Sequence, residues 1–407
     1  MKTSAFLSLA AIALTLTFCE KCPCPPGDSP GPGEDEPVPV RLDTTVLVTG
    51  VEFPEDYDWR RDTARGDVSC KIVLFKNGKR ILEVPSGPST HTCADPDMHR
   101  IVGGRLYTEF SSQDKTFLTR DGASLFSFSG RELICGMIVE GSDVWTLGQD
   151  RDGRGFTLRK NGKDIIRSES GIIPGRMGNP LLPTGALYED KGRKCFAWKT
   201  VETVGVAKKT DWHLYCDGEV TDLPYDSTIS EVFDVRMAGG AVCKAYRLRS
   251  SPISFMVAVG DEKHIIIKPA GFSPLNMRLV PEEDGLLAVG EGDDSSGTHG
   301  SCIWDLEGVR KKENGEMVTF SISEKGTASV SCDREGYVET VRGITRNWSL
   351  EKYIKMMTPS CLCTAGESAF VALTPGSGNP FIFREGEKTE VVINGYLTSI
   401  SVSINEI

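Results

Sequence analysis

A single local signal recurs along this chain and limits its folds more than any other feature. It is a tight turn of the Asn-Gly or Asp-Gly type set between two short apolar runs. Phe75-Lys76-Asn77-Gly78-Lys79 is the first instance, and Arg120-Asp121-Gly122, Lys160-Asn161-Gly162-Lys163, Cys216-Asp217-Gly218-Glu219 and Arg384-Glu385-Gly386-Glu387 follow. A two-residue hairpin needs positive φ at its centre, which Asn and Gly adopt at low cost. Taking Asn77, Asp121, Asn161, Asp217, Asp261 and Glu307 as turn centres, the steps are 44, 40, 56, 44 and 46 residues. The longer gap from Glu307 to Glu385 divides at Arg342-Gly343 into 36 and 42. A repeat near 40–45 residues with four strands per unit is the period of a β-propeller.

A second turn keeps phase with the first. Val102-Gly103-Gly104-Arg105, Val139-Glu140-Gly141-Ser142-Asp143 and Met237-Ala238-Gly239-Gly240-Ala241 each precede an Asn-Gly-type turn. Weaker versions stand at Asp284-Gly285, Lys325-Gly326 and Ala365-Gly366. Each unit therefore reads as strand a, Gly turn, strand b, variable connection, strand c, Asn-Gly-type turn, strand d. The c strands carry the clearest apolar runs, as in Lys71-Ile72-Val73-Leu74-Phe75 and Ser254-Phe255-Met256-Val257-Ala258-Val259.

The two ends of the repeat complement each other. Val46-Leu47-Val48-Thr49-Gly50 matches a b strand with no a strand before it, and Tyr396 to Ile404 matches an a strand with no b after it. Pairing them completes a unit and removes two exposed edges. The expectation is an all-β fold, a β-propeller of eight four-stranded blades closed by pairing the C-terminal strand with the N-terminal blade. Seven blades is the alternative, because the unit from Val318 to Leu350 is the weakest.

Three segments follow from composition. Met1 to Phe18 reads as a signal peptide: Lys2 supplies the charged start, and the apolar stretch that follows is too short to span a bilayer. Cys19 follows Leu16-Thr17-Phe18 in a pattern resembling a bacterial lipoprotein box, from which it departs at Phe18, where a small residue is usual. Cys19 is thus the lipidation candidate. Residues 19–43 form a Pro-, Gly- and acid-rich tether, whose polyproline character extends it by about 3.1 Å per residue. The propeller domain occupies residues 44–407. The expected location is the bacterial cell envelope, held at the outer membrane by a lipid anchor alone, with secretion as the alternative. A net charge of −11 offers no basic stripe for nucleic acid.

In this scheme the a–b and c–d turns are short, and the b–c and d–a connections are long and share one face. Pro54 to Ser69, Pro85 to Asp97, Ser168 to Asn179, Asp190 to Asp211 and Glu291 to Ser301 are the long ones. Variable loops on a rigid scaffold are where binding concentrates. The richest is Asp56-Tyr57-Asp58-Trp59-Arg60-Arg61-Asp62. Tyr57 and Trp59 could stack on a sugar or a partner, and Asp58, Arg60 and Arg61 supply charge; these five are the candidate ligand-binding residues. The bland alternative is a solvated loop with one tucked aromatic.

No catalytic motif emerges: there is no Gly-x-Ser-x-Gly elbow, Walker loop or paired-histidine metal motif. Asp150-Arg151-Asp152-Gly153 lacks the terminal Glu of a calcium loop, and Asp293, Asp294 and His299 make only a weak metal set. His213 and His264 fall within strands and read as structural. No catalytic residue, metal or cofactor is assigned. Most of the thirteen cysteines read as small buried hydrophobes, with one or two disulfides expected within a unit.

The Val-x-Val-type b strand in Val46-Leu47-Val48-Thr49-Gly50 and Asp143-Val144-Trp145-Thr146-Leu147-Gly148 is paired with strands ending in Lys-Asn-Gly, Leu74 to Gly78 and Leu158 to Gly162. This resembles the propeller lipoproteins of Bacteroidetes, over roughly Thr44 to Ile407 and most sharply in two or three units. The resemblance implies an envelope location and no particular activity. The functional expectation is a non-catalytic lipoprotein that binds a glycan or protein partner through its long-loop face. The alternatives are an envelope glycan hydrolase or lyase with carboxylates at the central channel, and a scaffold subunit of an outer-membrane assembly.

Overall fold

The computed structural model describes residues 42–406 except 62–67, 86–98, 112–113, 175–184, 205–206, 252, 267–271, 283–284, 294–295, 298, 315, 324–325, 333–335, 342–343, 350–360, 366–367 and 385–386. Side chains over most of 310–349 lie outside this description. The expected signal peptide, Cys19 and nearly all of the expected tether lie outside it too.

The described chain is all-β, and its strands form eight four-stranded antiparallel sheets. We number the sheets I–VIII along the chain and letter the strands a–d within each. Sheets II (residues 99–129), III (132–168), IV (188–223), V (229–265), VI (273–314), VII (316–349) and VIII (362–390) are each a continuous meander. The weakest unit in the sequence is sheet VII. Sheet I draws strands b, c and d from Leu42–Glu52, Lys71–Lys76 and Lys79–Pro85, and strand a from Gly395–Glu406 at the other end of the chain. That first-to-last pairing runs from Leu42 opposite Glu406 to Glu52 opposite Gly395.

The recurring turn has a second purpose besides positive φ. Asn77, Asp121, Asn161 and Asp217 have φ of 46–51°, and each is followed by a positive-φ glycine. Each also reaches back to strand b of its own sheet. The side-chain Oδ1 atoms of Asn77, Asp121, Asn161 and Asp217 accept from the N–H groups of Val46, Leu106, Val144 and Lys194, at 2.8, 3.0, 2.9 and 2.9 Å. The backbone N–H of each turn residue donates to the carbonyl of that same b residue. The residue must therefore have both αL tolerance and a short acceptor, which selects Asn or Asp over Gly-Gly.

Each sheet packs on the next. Tyr107, Leu118 and Phe128 of II meet Ile134, Met137 and Val144 of III. Phe156 of III meets Phe196 and Trp198 of IV. Trp212 and Leu214 of IV meet Val235 and Met237 of V, and Phe255 and Val257 of V meet Leu279 and Trp304 of VI. Strand a of VII lies against strands of VI and VIII. Phe370 and Ile382 of VIII pack on Val48, Leu397 and Ile400 of I, and Leu106 of II packs on Leu74 and Tyr396 of I.

Polar staples cross the same interfaces. The a strands of I, III, V and VI carry β-bulges and lie at the edges of their sheets, and an edge strand leaves backbone groups to be satisfied elsewhere. A side chain from the preceding sheet accepts from an a-strand N–H in each case: Glu109 from Ile134 (3.1 Å), Tyr188 from Met237 (2.6 Å), Asp234 from Leu279 (2.9 Å) and Thr374 from Leu397 (3.0 Å).

Two expectations need correction. Asp190 to Asp211 is not a long loop. A tight turn at Lys191-Gly192, both at positive φ, leads into strand b of IV (Arg193–Val204), which pairs with strand c (Ala207–Cys216) over ten residue pairs. The outer part of this ribbon is exposed on both strands, so it carries no apolar alternation to signal a strand. A disulfide, Cys195–Cys216, joins these strands within the sheet. The second correction concerns Glu291 to Ser301: strand b of VI runs to Asp293 and strand c starts at His299, so the connection is much shorter than its composition implies. Cys135 and Cys243 are buried thiols, pushed up to about 12 and about 11 by burial.

Candidate functional site

The charged loop after strand b of sheet I is anchored rather than free. Asn394, in the connection that leads back to strand a of I, accepts the Phe53 N–H on its carbonyl at 2.8 Å. Its side-chain amide donates to the carbonyls of Pro54 and Tyr57. Inside the loop, Tyr57 N–H donates to Pro54 O, and Arg61 N–H to Asp58 O. The loop is thereby held in one arrangement by residues more than 330 positions away in sequence.

The five candidate residues separate into distinct roles. Trp59 is 4% exposed and belongs to the core: it lies 5.6 Å from Tyr396 and 6.3 Å from Phe53. It therefore offers no stacking face to a ligand, because burial of its apolar ring against Phe53 and Tyr396 is the stronger demand. Tyr57 is half-buried beside it, 5.2 Å from Phe53. Asp58 and Arg61 form an exposed ion pair at 3.3 Å, which screening makes weak. Arg60 is the residue that the fold aims at a site. Its guanidinium lies 4.5 Å over the Trp59 ring and donates to the carbonyl of Gly378 at 2.7 Å.

Arg60 stands in a cleft of ≈ 960 Å³ between sheets I and VIII. Pro54, Glu55, Gly378, Asn379 and Val392 to Asn394 line it. Val392 is 72% exposed, which leaves an apolar surface on the lining of the cleft. Glu52, Lys71 and Arg80 of its lining join an ion network in which Arg80 forks onto Glu52 and reaches Glu83 at 2.6 Å, while Lys71 reaches Glu83 at 3.0 Å. The Glu52 and Glu83 carboxylates hold the Arg80 guanidinium above its usual range, and Arg80 with Lys71 holds the Glu83 carboxyl below its own. The cleft thus combines a positioned, exposed Arg60, fixed charges and an apolar lip, a set suited to binding. It lies on the face of the long connections.

The buried carboxylates of the sheets are committed elsewhere. Glu132 forks onto Arg159 at 2.6 and 2.7 Å. Asp234 is tied to Arg236 and to the Leu279 N–H. Glu109 lies 3.7 Å from Arg100 and accepts from Ile134; burial, partly opposed by Arg100, pushes its carboxyl above the usual range.

His213, read as structural, proves to be part of a hydrogen-bonded ladder across sheet IV. Its Nδ1 lies 2.8 Å from Asp222 and its Nε2 3.0 Å from Thr200, and its ring stacks on Trp198 at 5.0 Å. The ladder knits strands b, c and d together, and no sequence spacing announces it because the three residues meet only through strand pairing. Asp150 to Arg154 forms a plain turn in which Asp152 accepts from the Arg154 N–H. Asp294 and the His299 side chain lie outside the described residues. Among the described residues, no three His, Cys, Asp or Glu side chains converge on a metal position.

No protein-family model matches the sequence, and no curated protein is similar to it. Several solved structures are similar in backbone course. A eukaryotic initiation factor structure is 9% identical with a TM-score of 0.40, over 86% of this chain and 99% of that one. The β-propeller domain of the Trilobed protease from Pyrococcus furiosus is 12% identical with a TM-score of 0.40, over 85% and 94%. Pyrococcus horikoshii acylaminoacyl peptidase is 12% identical with a TM-score of 0.42, over 74% of this chain and 50% of that one. At these TM-scores the likenesses bear no weight in assigning the fold; the strand pairing does.

Proposed function

We propose that residues 42–406 form an eight-bladed β-propeller, with sheets I–VIII as blades and the pairing of Gly395–Glu406 with Leu42–Glu52 closing the ring, and that it serves as a non-catalytic binding protein of the bacterial envelope. Contact of each sheet with the next, and of VIII with I, supports the ring. The partner, a glycan or a protein surface, engages the long-loop face at the cleft between sheets I and VIII. The observation that carries this is Arg60, held over Trp59 and against Gly378 at the mouth of a ≈ 960 Å³ cleft. The Glu109, Glu132 and Asp234 carboxylates are engaged by arginines and backbone N–H groups, so nothing in their surroundings favours a hydrolase over a binder. A lipid on Cys19, carried on the proline-rich tether, anchors the domain at the outer membrane. The Cys195–Cys216 disulfide suits an oxidising compartment.

The test pairs location with binding. Cys19→Ala is expected to move the protein from the membrane fraction to the soluble envelope fraction. On immobilised envelope polysaccharides and purified outer-membrane proteins, Arg60→Ala is expected to weaken capture by about thirtyfold, the effect of losing roughly 2 kcal/mol at an arginine hot spot. Capture unchanged by Arg60→Ala would overturn the cleft assignment, and membrane retention of the Cys19→Ala protein would overturn the anchor.

A further inference from the structure

A second opening lies on the long-loop face, between sheets IV and V. It is a cavity of ≈ 270 Å³ bounded by Lys199 and Trp212 of IV, Lys244 of V, and the connection carrying Tyr225 and Asp226. The size is that of a small ligand or one sugar residue, just below the usual range for drug-sized pockets. It shares no residue with the cleft between sheets I and VIII.

The charges around it are unequally matched. Glu231, on the rim, is paired with Arg247 at 2.9 Å. The Oδ1 of Asp226 accepts from both the N–H and the hydroxyl of Thr228, at 2.8 and 2.7 Å. Lys199 and Lys244, by contrast, make no ion pair among the described residues. The Lys199 ammonium lies 5.9 Å over Trp212 and that of Lys244 5.7 Å over Tyr246, so each runs along an aromatic surface. Burial holds the Lys244 ammonium below the usual lysine range; Asp226 opposes this and Lys263 adds to it. A half-buried cation whose one nearby carboxylate, Asp226, does not offset its burial gains when an anion arrives, because desolvation has already been incurred.

The rim adds a flat apolar surface with fixed orientation. Tyr225 is 36% exposed. Its hydroxyl accepts from Arg249 at 3.0 Å, and its N–H donates to Asp211 at 2.7 Å. An aromatic ring held in this way presents a face to sugar C–H groups at low entropic cost. Thr210 on the wall and the Oδ2 of Asp226 are suited to hydroxyl groups.

We propose that this cavity binds a carboxylated sugar unit, with its carboxylate between Lys199 and Lys244, a ring face on Tyr225, and hydroxyls on Asp226 and Thr210. The chemistry distinguishes it from a simple anion site, which would need the lysines alone, and from a neutral sugar site, which would not place two ammonium groups outside ion pairs on one cavity wall.

Calorimetric titration of the full chain with sodium glucuronate tests this, with methyl glucoside and sodium acetate as comparisons. Saturable glucuronate binding is expected, with both comparison compounds at least tenfold weaker. Lys199→Gln and Lys244→Gln should each weaken it about tenfold or more, and Tyr225→Ala severalfold. Melting curves identify any variant that has failed to fold, and Lys199, on sheet IV, keeps the test open if Lys244→Gln is unstable. Arg60→Ala should leave glucuronate affinity unchanged, so failure here is separable from failure of the first cleft. Absence of saturable binding, acetate binding as tightly as glucuronate, or an affinity indifferent to both lysine changes would overturn the proposal.

Discussion

A chain ending at Asn394, without the strand Gly395–Glu406, is expected to show no cooperative unfolding transition. This is the largest effect we anticipate. Tyr396, Leu397 and Ile400 are buried between sheets, and at about 2 kcal/mol for each buried side chain their loss removes about 6 kcal/mol. That is comparable with the entire net stability of a domain, about 5–15 kcal/mol. Polar losses add to it. Thr49 shares hydroxyl hydrogen bonds with Thr398 and Ser399 at 2.7 and 2.5 Å in a fully buried setting, and Leu42–Glu52 would become an edge with unpaired backbone groups. Gly395 is itself demanding, since a Cβ there would run into the carbonyl oxygen of Val51. Urea unfolding followed by circular dichroism measures the effect. A truncated chain that unfolds cooperatively near the full-length midpoint would show that the terminal pairing is dispensable.

The second large effect concerns the Glu132–Arg159 pair. Glu132→Ala should lower stability by about 3–5 kcal/mol, because the arginine left behind is a buried charge with its principal partner gone. The two side chains are only 4% and 6% exposed. Arg159 also lies 4.3 Å over Phe128 of the neighbouring sheet and bonds Asp164 at 2.8 Å. Burial opposes its charge, but the two carboxylates outweigh burial and hold its pKa above the usual range. Asp164 is half-exposed and cannot replace Glu132. The double change Glu132→Met with Arg159→Met should recover most of the loss, since replacing both members leaves no unpaired charge. A double variant as unstable as the single one would mean that packing around the pair, not its charge balance, sets the cost. The pair also explains Gly148, where any Cβ would collide with the Glu132 carboxylate.

Both effects depend on residues that the sequence presents very differently. The terminal pairing was legible because unmatched b-like and a-like strands stood at opposite ends of a periodic chain. The Glu132–Arg159 pair was not: nothing local distinguishes Glu132 from a solvated carboxylate ahead of a strand. Trp59 shows the same limit. Its charged neighbours made the loop look like a ligand surface, whereas Tyr396 and Phe53 draw the ring into the core. Of the five candidate residues, Arg60 alone lines the cleft between sheets I and VIII. In sheet IV the ribbon beyond Lys199 has the sequence of a loop because both its strands are solvated there, which removes the alternation that marks a half-buried strand.

The sequence alone determined what local stereochemistry controls. Positive φ at Asn77, Asp121, Asn161 and Asp217 is a property of the residue and its glycine neighbour, and apolar alternation is a property of a strand, so turns, strands and their period could be read in order. Only the tertiary structure decided which side chains share a cleft. Arg60 meets Gly378 across 318 positions, and Lys199 and Lys244 line one cavity only because sheets IV and V pack side by side. Such encounters arise from the packing of whole sheets, which depends on the summed burial of many side chains and on no single motif.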